Sequence, residues 1–157
     1  MDTQTKRALA ALTTRFYAEH AASFASTRRA PWPGWERCVR AVGALGGSPL
    51  RVLDVGAGSL RLERMLAREL KDRELDLHAV DNCPALAGDA PGDTPAVTWH
   101  ERDVVSALID DMDPLGGLPA FDAATCFGLM HPVPGPDERD RLLRSLVRAL
   151  RPGGIAV

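Results

Sequence analysis

Apolar residues recur along this chain with two periods, and the switches between them lay out its elements. Over residues 5–22, Leu9, Leu12, Phe16 and Tyr17 fall at helical spacing, which predicts a first helix. A polar, arginine-bearing link follows at 23–34. Pro33 is placed to open a second helix, whose Trp35, Val39, Val42 and Leu45 share one face before Gly46-Gly47 stops it. Beyond that point short apolar runs alternate with helical segments. Runs at 50–55, 75–80, 96–100 and 121–127 predict strands, and a fifth begins at 155–157. Helical patterns at 60–70, 104–110 and 136–150 separate them, the last being amphipathic, laced with arginine and stopped by Arg151-Pro152-Gly153-Gly154. The proline- and glycine-rich stretch 84–95 reads as a loop, and no internal repeat or low-complexity tract is present. Strands alternating with helices predict an α/β fold with a doubly wound parallel sheet.

Bulk properties narrow the field only a little. A chain of 157 residues with 45% hydrophobic content has room for one domain with a substantial core. Nineteen Lys and Arg against 21 Asp and Glu give a net charge of -2, so no global field recruits nucleic acid, although a local basic patch remains compatible. Cys38, Cys83 and Cys126 are odd in number and far apart, which fits free thiols better than a disulfide framework or a zinc site. The amino terminus leads into an amphipathic segment rather than a signal sequence, and no apolar run approaches membrane-spanning length. The expected setting is cytoplasmic, and the Ala-, Arg-, Pro- and Gly-rich usage suits a GC-rich bacterial genome.

The candidate chemistry centres on Asp54-Val55-Gly56-Ala57-Gly58. An apolar strand ends in a carboxylate, breaks into two glycines and restarts as a helix, placing backbone N–H groups and Asp54 beside a cavity at a strand's carboxyl end. A dinucleotide fingerprint needs a third glycine where Arg61 stands, and a phosphate-binding P-loop needs a Gly-Lys-Ser/Thr ending that is absent.

From Arg51 to Val157 the motifs Leu53-Asp54-Val55-Gly56-Ala57-Gly58, Ala79-Val80-Asp81, Arg102-Asp103, Phe121-Asp122 and Leu150-Arg151-Pro152-Gly153-Gly154 occur in an order that resembles the class I S-adenosylmethionine (SAM) methyltransferases. The resemblance covers about two-thirds of the chain. It implies a Rossmann-like core at 49–157 behind a helical amino-terminal cap at 1–48, forming one domain whose closing antiparallel strands are missing. The open sheet edge then calls for a partner chain, a homo-oligomer or further sequence to cover it. It also implies SAM as cofactor, with S-adenosylhomocysteine as product. Asp54 is expected near the methionine ammonium, with Gly56, Ala57 and Gly58 forming the turn. Asp81 stands at the ribose, Asn82, Asp103 and Val104 at the adenine, and Cys126 on the floor beneath the methyl group. Plainer roles stand beside these: Asp81 and Asp103 as turn or cap residues, and Cys126 as core. Two departures point to weaker cofactor binding: Leu60 replaces a usual third glycine and crowds the methionine end, and Asn82 replaces an apolar residue that stacks on adenine.

Phe24-Ala25-Ser26-Thr27-Arg28-Arg29-Ala30-Pro31-Trp32-Pro33 is similar to a segment of the tRNA wobble-uridine methyltransferases that esterify a carboxymethyl group, and Gly128-Leu129-Met130-His131 to their segment after the fourth strand, with Pro132 replacing a second histidine. That likeness implies a substrate pocket roofed by Arg28 and Trp32 and facing His131 as the catalytic residue, with Arg28, Arg29, Arg37 and Arg40 as a basic rim for tRNA. A carboxylate acceptor is ionised at neutral pH and needs no base, whereas a phenol would use His131. The plainer alternatives make Trp32 a core anchor, Arg28 a carboxylate partner and His131 a loop residue. Two rival functions remain: a small-molecule O- or C-methyltransferase, and a non-catalytic SAM-binding subunit that needs a partner chain.

Overall fold

Within the first strand, side chains alternate between two cores. Leu50 and Val52 pack on one side of the sheet with Trp35, Val39, Val42, Leu62, Met65 and Leu66. Leu53 and Val55 pack on the other with Val104, Leu108, Phe121, Leu142 and Leu146. A strand buried on both faces reads as a continuous apolar run, as a central parallel strand must. The computed structural model describes residues 1–28, 30–88 and 94–157.

The strands are β1 (Leu50–Val55), β2 (Leu75–Asp81), β3 (Val97–Glu101), β4 (Phe121–Thr125) and β5 (Leu150–Ala156). They form one sheet in the order β3-β2-β1-β4-β5, with every pairing parallel. The helices are α1 (Thr3–Thr27), α2 (Trp35–Gly43), α3 (Arg61–Glu69), α4 (Pro84–Ala87), α5 (Val104–Ile109) and α6 (Pro136–Arg148). The chain runs outward from β1 to β3, then returns to lay β4 on the other side of β1. The carboxyl ends of β1, β2 and β4 therefore surround the place where strand order reverses, which is where open α/β sheets hold ligands. This is a Rossmann-like fold carrying an amino-terminal helix. No helix among the described residues is long and apolar enough to cross a membrane.

Three expectations about elements need correction. The helix expected to end at residue 22 continues to Thr27, so residues 23–27 of the expected link are its last turns. Phe24 lies edge-on against Tyr17 at 5.0 Å and packs on the small cluster of Ala21, Cys83 and Leu86, and that burial outweighs the poor helix propensity of the Ser/Thr-rich sequence. The expected loop 84–95 holds the short helix α4, opened by Pro84; residues 89–93 of that expected loop lie outside the described residues. Arg151-Pro152-Gly153-Gly154 does not precede β5 but lies within it. An irregularity between Phe121↔Leu150 and Ala123↔Ile155 accommodates Pro152 and Gly153, and Arg151 is paired with the buried Asp122.

Helix α1 lies across the carboxyl-terminal side of the sheet, held by the packing of Tyr17, Ala21 and Phe24 on Cys83 and Leu86 and by polar ties. Lys6 meets Glu138 of α6 at 2.6 Å, Arg7 meets Asp110 after α5 at 2.6 Å, and Thr14 receives a hydrogen bond from the Asn82 amide at 3.1 Å.

Candidate functional site

Register alone brings the first carboxylate and its partner together. Asp54 on β1 stands opposite Thr125 on β4, and the Thr125 hydroxyl donates to Asp54 Oδ1 at 2.7 Å. After Val55 the chain turns back toward β2. Gly56 has φ +81, and a Cβ there would sit 3.0 Å from Leu129 Cβ, so both conformation and space require glycine. Leu60 caps α3 with φ 56, in the left-handed conformation a glycine takes freely. Its side chain is buried and does not line the cavity. Its cost is therefore backbone strain rather than the crowding expected at the methionine end.

The turn's N–H groups are not available to a ligand, contrary to expectation. Gly56 N–H donates to Val80 O at 2.8 Å, Ala57 N–H to the same oxygen at 3.3 Å, and Gly58 N–H to Asp81 Oδ2 at 2.9 Å. Because the loop folds back onto the end of β2, its donors are used internally. Asp81 completes the arrangement by receiving Cys83 N–H on Oδ1 at 2.8 Å. Each of its oxygens thus has one protein partner and keeps acceptor capacity toward the cavity.

A cavity of about 280 Å³ opens over these strand ends. It is lined by Asp54, Gly56, Ala57, Gly58, Asp81, Asn82, Asp103 and Val104, all singled out from the sequence, and also by Arg28, Trp32, His131 and Pro132. Its apolar wall includes Ala10, Val80, Leu86 and Val105, with Tyr17 on the α1 side. Asp103 also caps α5, its Oδ1 receiving Ser106 N–H at 2.9 Å and its Oδ2 the Ser106 hydroxyl at 2.8 Å, so the plainer reading and cavity lining coexist. Trp32 is 41% exposed at the cavity, whereas its neighbour Trp35, stacked 5.7 Å away, is the buried anchor.

Cys126 must be withdrawn from the site. It does not line the cavity and packs against the Leu53–Phe121 core, where burial pushes its thiol up to about 12. The regular strand ends at Thr125, so it is Phe127 that reaches the cavity. Arg37 and Arg40 are exposed on α2 and do not line it, and Arg29 lies outside the described residues.

Sequence reasoning missed Glu63. It faces inward on α3 beside Leu62, Met65 and Leu66, with its carboxyl buried against that of Asp54. Burial, reinforced by neighbouring Asp54, holds its carboxyl well above the usual range. Burial likewise raises Asp54 to about 7, the Thr125 hydrogen bond opposing and the Asp81 charge adding to the rise. A charged position inside an otherwise apolar helix stripe was the available signal. Burial also raises Asp81.

A cationic ammonium placed beside Asp54 would favour its ionised form. Ligand binding at this position is therefore expected to strengthen about tenfold between pH 6 and 8 with proton release below pH 7, since the neutral carboxyl loses the charge attraction. Titration calorimetry with S-adenosylhomocysteine in buffers of different ionisation enthalpy measures both; pH-independent binding without proton exchange would contradict it.

Comparisons with known proteins concern the family and the fold. The methyltransferase domain family matches residues 53–156. No curated protein matches the chain significantly. Among solved structures, a sugar N-methyltransferase, KedS8, from Streptoalloteichus is similar at 25% identity and TM-score 0.58, over 78% of this chain and 45% of that one. A TehB-like SAM-dependent methyltransferase from Corynebacterium glutamicum shows 22% identity and TM-score 0.60, over 92% and 71%. A SAM-dependent methyltransferase from Thiobacillus denitrificans, in complex with S-adenosylhomocysteine, shows 20% identity and TM-score 0.60, over 90% and 52%. The chain thus spans about half the length of the first and third of these.

Proposed function

The chain belongs to the methyltransferase domain family, and from that premise we propose that its cavity binds SAM and directs the methyl group to a small-molecule acceptor on the Trp32–His131 side. The residues suit the cofactor. Asp81 keeps acceptor capacity for a ribose diol, Val80, Leu86 and Val104 give an adenine an apolar wall, and Asp103 offers acceptors beside it. Asp54 meets the amino-acid ammonium. When bound, the sulfonium supplies an electrophilic methyl carbon, which an acceptor lone pair takes as the C–S bond electrons return to sulfur.

The protein's own part is alignment and charge placement. The single observation that carries the reading is the convergence of Asp54, Asp81 and Asp103, from the ends of different strands, on one cavity. Trp32 and Phe127 supply an aromatic surface for the acceptor, and His131, exposed at the same mouth, is placed to orient it or accept its proton. The sugar N-methyltransferase among the similar structures favours a small acceptor.

A tRNA wobble uridine is the second reading, supported by Arg28 and Trp32 lining the cavity together with His131. Methyl label from SAM is expected to enter a metabolite extract and not bulk tRNA. Label in tRNA alone would reverse this order, and failure to bind S-adenosylhomocysteine would favour a non-catalytic subunit.

A further inference from the structure

The glycine turn brings the first turn of α3 back against β1, and a second carboxyl is buried there behind the first. Asp54 lines the cavity, whereas Glu63 does not. Their carboxyls are in contact. Nothing in the packing of α3 requires an acid at this position, since Leu62, Met65 and Leu66 beside it are apolar and join the core of β1. The chemistry assigned above to the cavity leaves Glu63 unused.

Two carboxyl groups sealed side by side do not both carry charge, so the pair keeps a proton. Geometry decides which member holds it. Asp54 receives the Thr125 hydroxyl on Oδ1 at 2.7 Å and opens on the cavity, where a cation can face it. Glu63 is sealed beneath, and among the described residues no hydroxyl or guanidinium reaches its oxygens. Asp54 is therefore the member that ionises first, and Glu63 keeps the proton. In keeping with this, the hydrogen bond from Glu63 lowers Asp54, while the Asp54 charge raises Glu63.

None of the other ionisable groups around the pair supplies a donor to Asp54. Asp81 at the end of β2 raises it, Arg64 on α3 lowers Glu63, and the Cys126 thiol beyond β4 stays neutral. Arg28 and Arg61 both line the cavity, but neither forms an ion pair with Asp54 or Glu63.

We propose that Glu63 is a positioning residue: it keeps its proton, donates it in a hydrogen bond to Asp54, and so holds the Asp54 carboxylate charged and aimed at a cationic group in the cavity. This rests on the methyltransferase reading and deepens it, because the cation is then the cofactor's amino-acid ammonium. Glu63 acts only through Asp54 and touches no ligand. A neutral donor of the same shape should replace it, and an apolar side chain should not.

Calorimetry on Glu63→Met and Glu63→Gln tests this with S-adenosylhomocysteine and with 5′-methylthioadenosine, which lacks the amino-acid end. Methionine removes the donor. The pH midpoint of S-adenosylhomocysteine binding should then rise by about one pH unit, and affinity at pH 7 should fall about fivefold. Glutamine offers an N–H in place of the O–H, so Glu63→Gln should keep the midpoint and stay within about twofold of wild type. With no ammonium to meet Asp54, 5′-methylthioadenosine should bind both variants as it binds wild type. Equal weakening of both ligands would mean a distorted cavity and overturn the proposal. So would a midpoint unmoved in Glu63→Met, or moved as far in Glu63→Gln. A carboxyl-carbon NMR titration of the unliganded chain reads the same hydrogen bond without any cofactor. Asp54 should titrate higher in Glu63→Met than in wild type or Glu63→Gln, and equal midpoints in all three would refute the donor role. Should neither adenosyl probe bind the wild-type chain, it is the methyltransferase reading that fails, and this titration still decides what Glu63 does.

Discussion

Replacing Asp81 by alanine is expected to weaken S-adenosylhomocysteine binding by about a hundredfold or more while the chain stays folded. The carboxylate sits at the tip of β2 and serves two backbones at once, receiving Gly58 N–H at 2.9 Å and Cys83 N–H at 2.8 Å. Truncation frees the glycine turn and the start of α4 together, so the cavity loses both its shape and an acceptor for the ribose. Charge-assisted hydrogen bonds contribute about 1.5–3 kcal/mol each, and losing two to the ligand removes roughly 3 kcal/mol or more. Asp81→Asn separates the two roles. It keeps the volume but turns an NH2 group toward one of the two backbone N–H donors, so it too should bind poorly. Calorimetry gives the affinities and thermal unfolding checks the fold. Affinity within about twofold of wild type in Asp81→Ala would mean that the adenosyl group does not use this carboxylate.

Replacing Glu63 by methionine should instead stabilise the protein, by about 2 kcal/mol or roughly 5 °C in melting temperature. Glu63 is 1% exposed, and its carboxyl is buried against that of Asp54. Two acidic groups buried side by side cost desolvation that their mutual contact recovers only in part, whereas methionine suits the apolar face of Leu62, Met65 and Leu66. The pH dependence has a definite sign. Asp54 and Glu63 both have folded values above their unfolded ones, so their contribution favours the native state most below about pH 4. That contribution is lost as pH rises through the folded values, and Asp54's share is spent above about 7. Unfolding followed from pH 4 to 8 should therefore show a decline in the wild type that is shallower in Glu63→Met. A variant less stable than wild type throughout would show that the carboxyl pair supports the fold instead of straining it.

Glu63 also marks the boundary of what could be read without coordinates. The alternation of Leu50, Val52, Leu53 and Val55, the Gly56-Ala57-Gly58 break and the acidic residues closing each apolar run are local signals. They determined that strands and helices alternate and that Asp54, Asp81 and Asp103 gather at strand carboxyl ends, because a doubly wound sheet delivers consecutive strand ends to one side. The end of α6 was not written in these local signals: the expected stop, Arg151-Pro152-Gly153-Gly154, lies within β5, and the helix ends earlier, at Arg148. Which side chains meet across elements was not legible. Cys126 leaves the site because β4 ends one residue earlier, and the continuation of α1 through Phe24 depends on a contact with Tyr17 and the Cys83–Leu86 cluster. The spent N–H groups of the glycine turn follow from how closely it folds onto Val80 and Asp81. Arg28 and Arg61, far apart in sequence, share one wall only because the segment after α1 is tied back to α3 through Ala30. Periodicity records which face of an element is apolar. The partner on that face is set by register, helix orientation and close packing, which only the folded chain holds together.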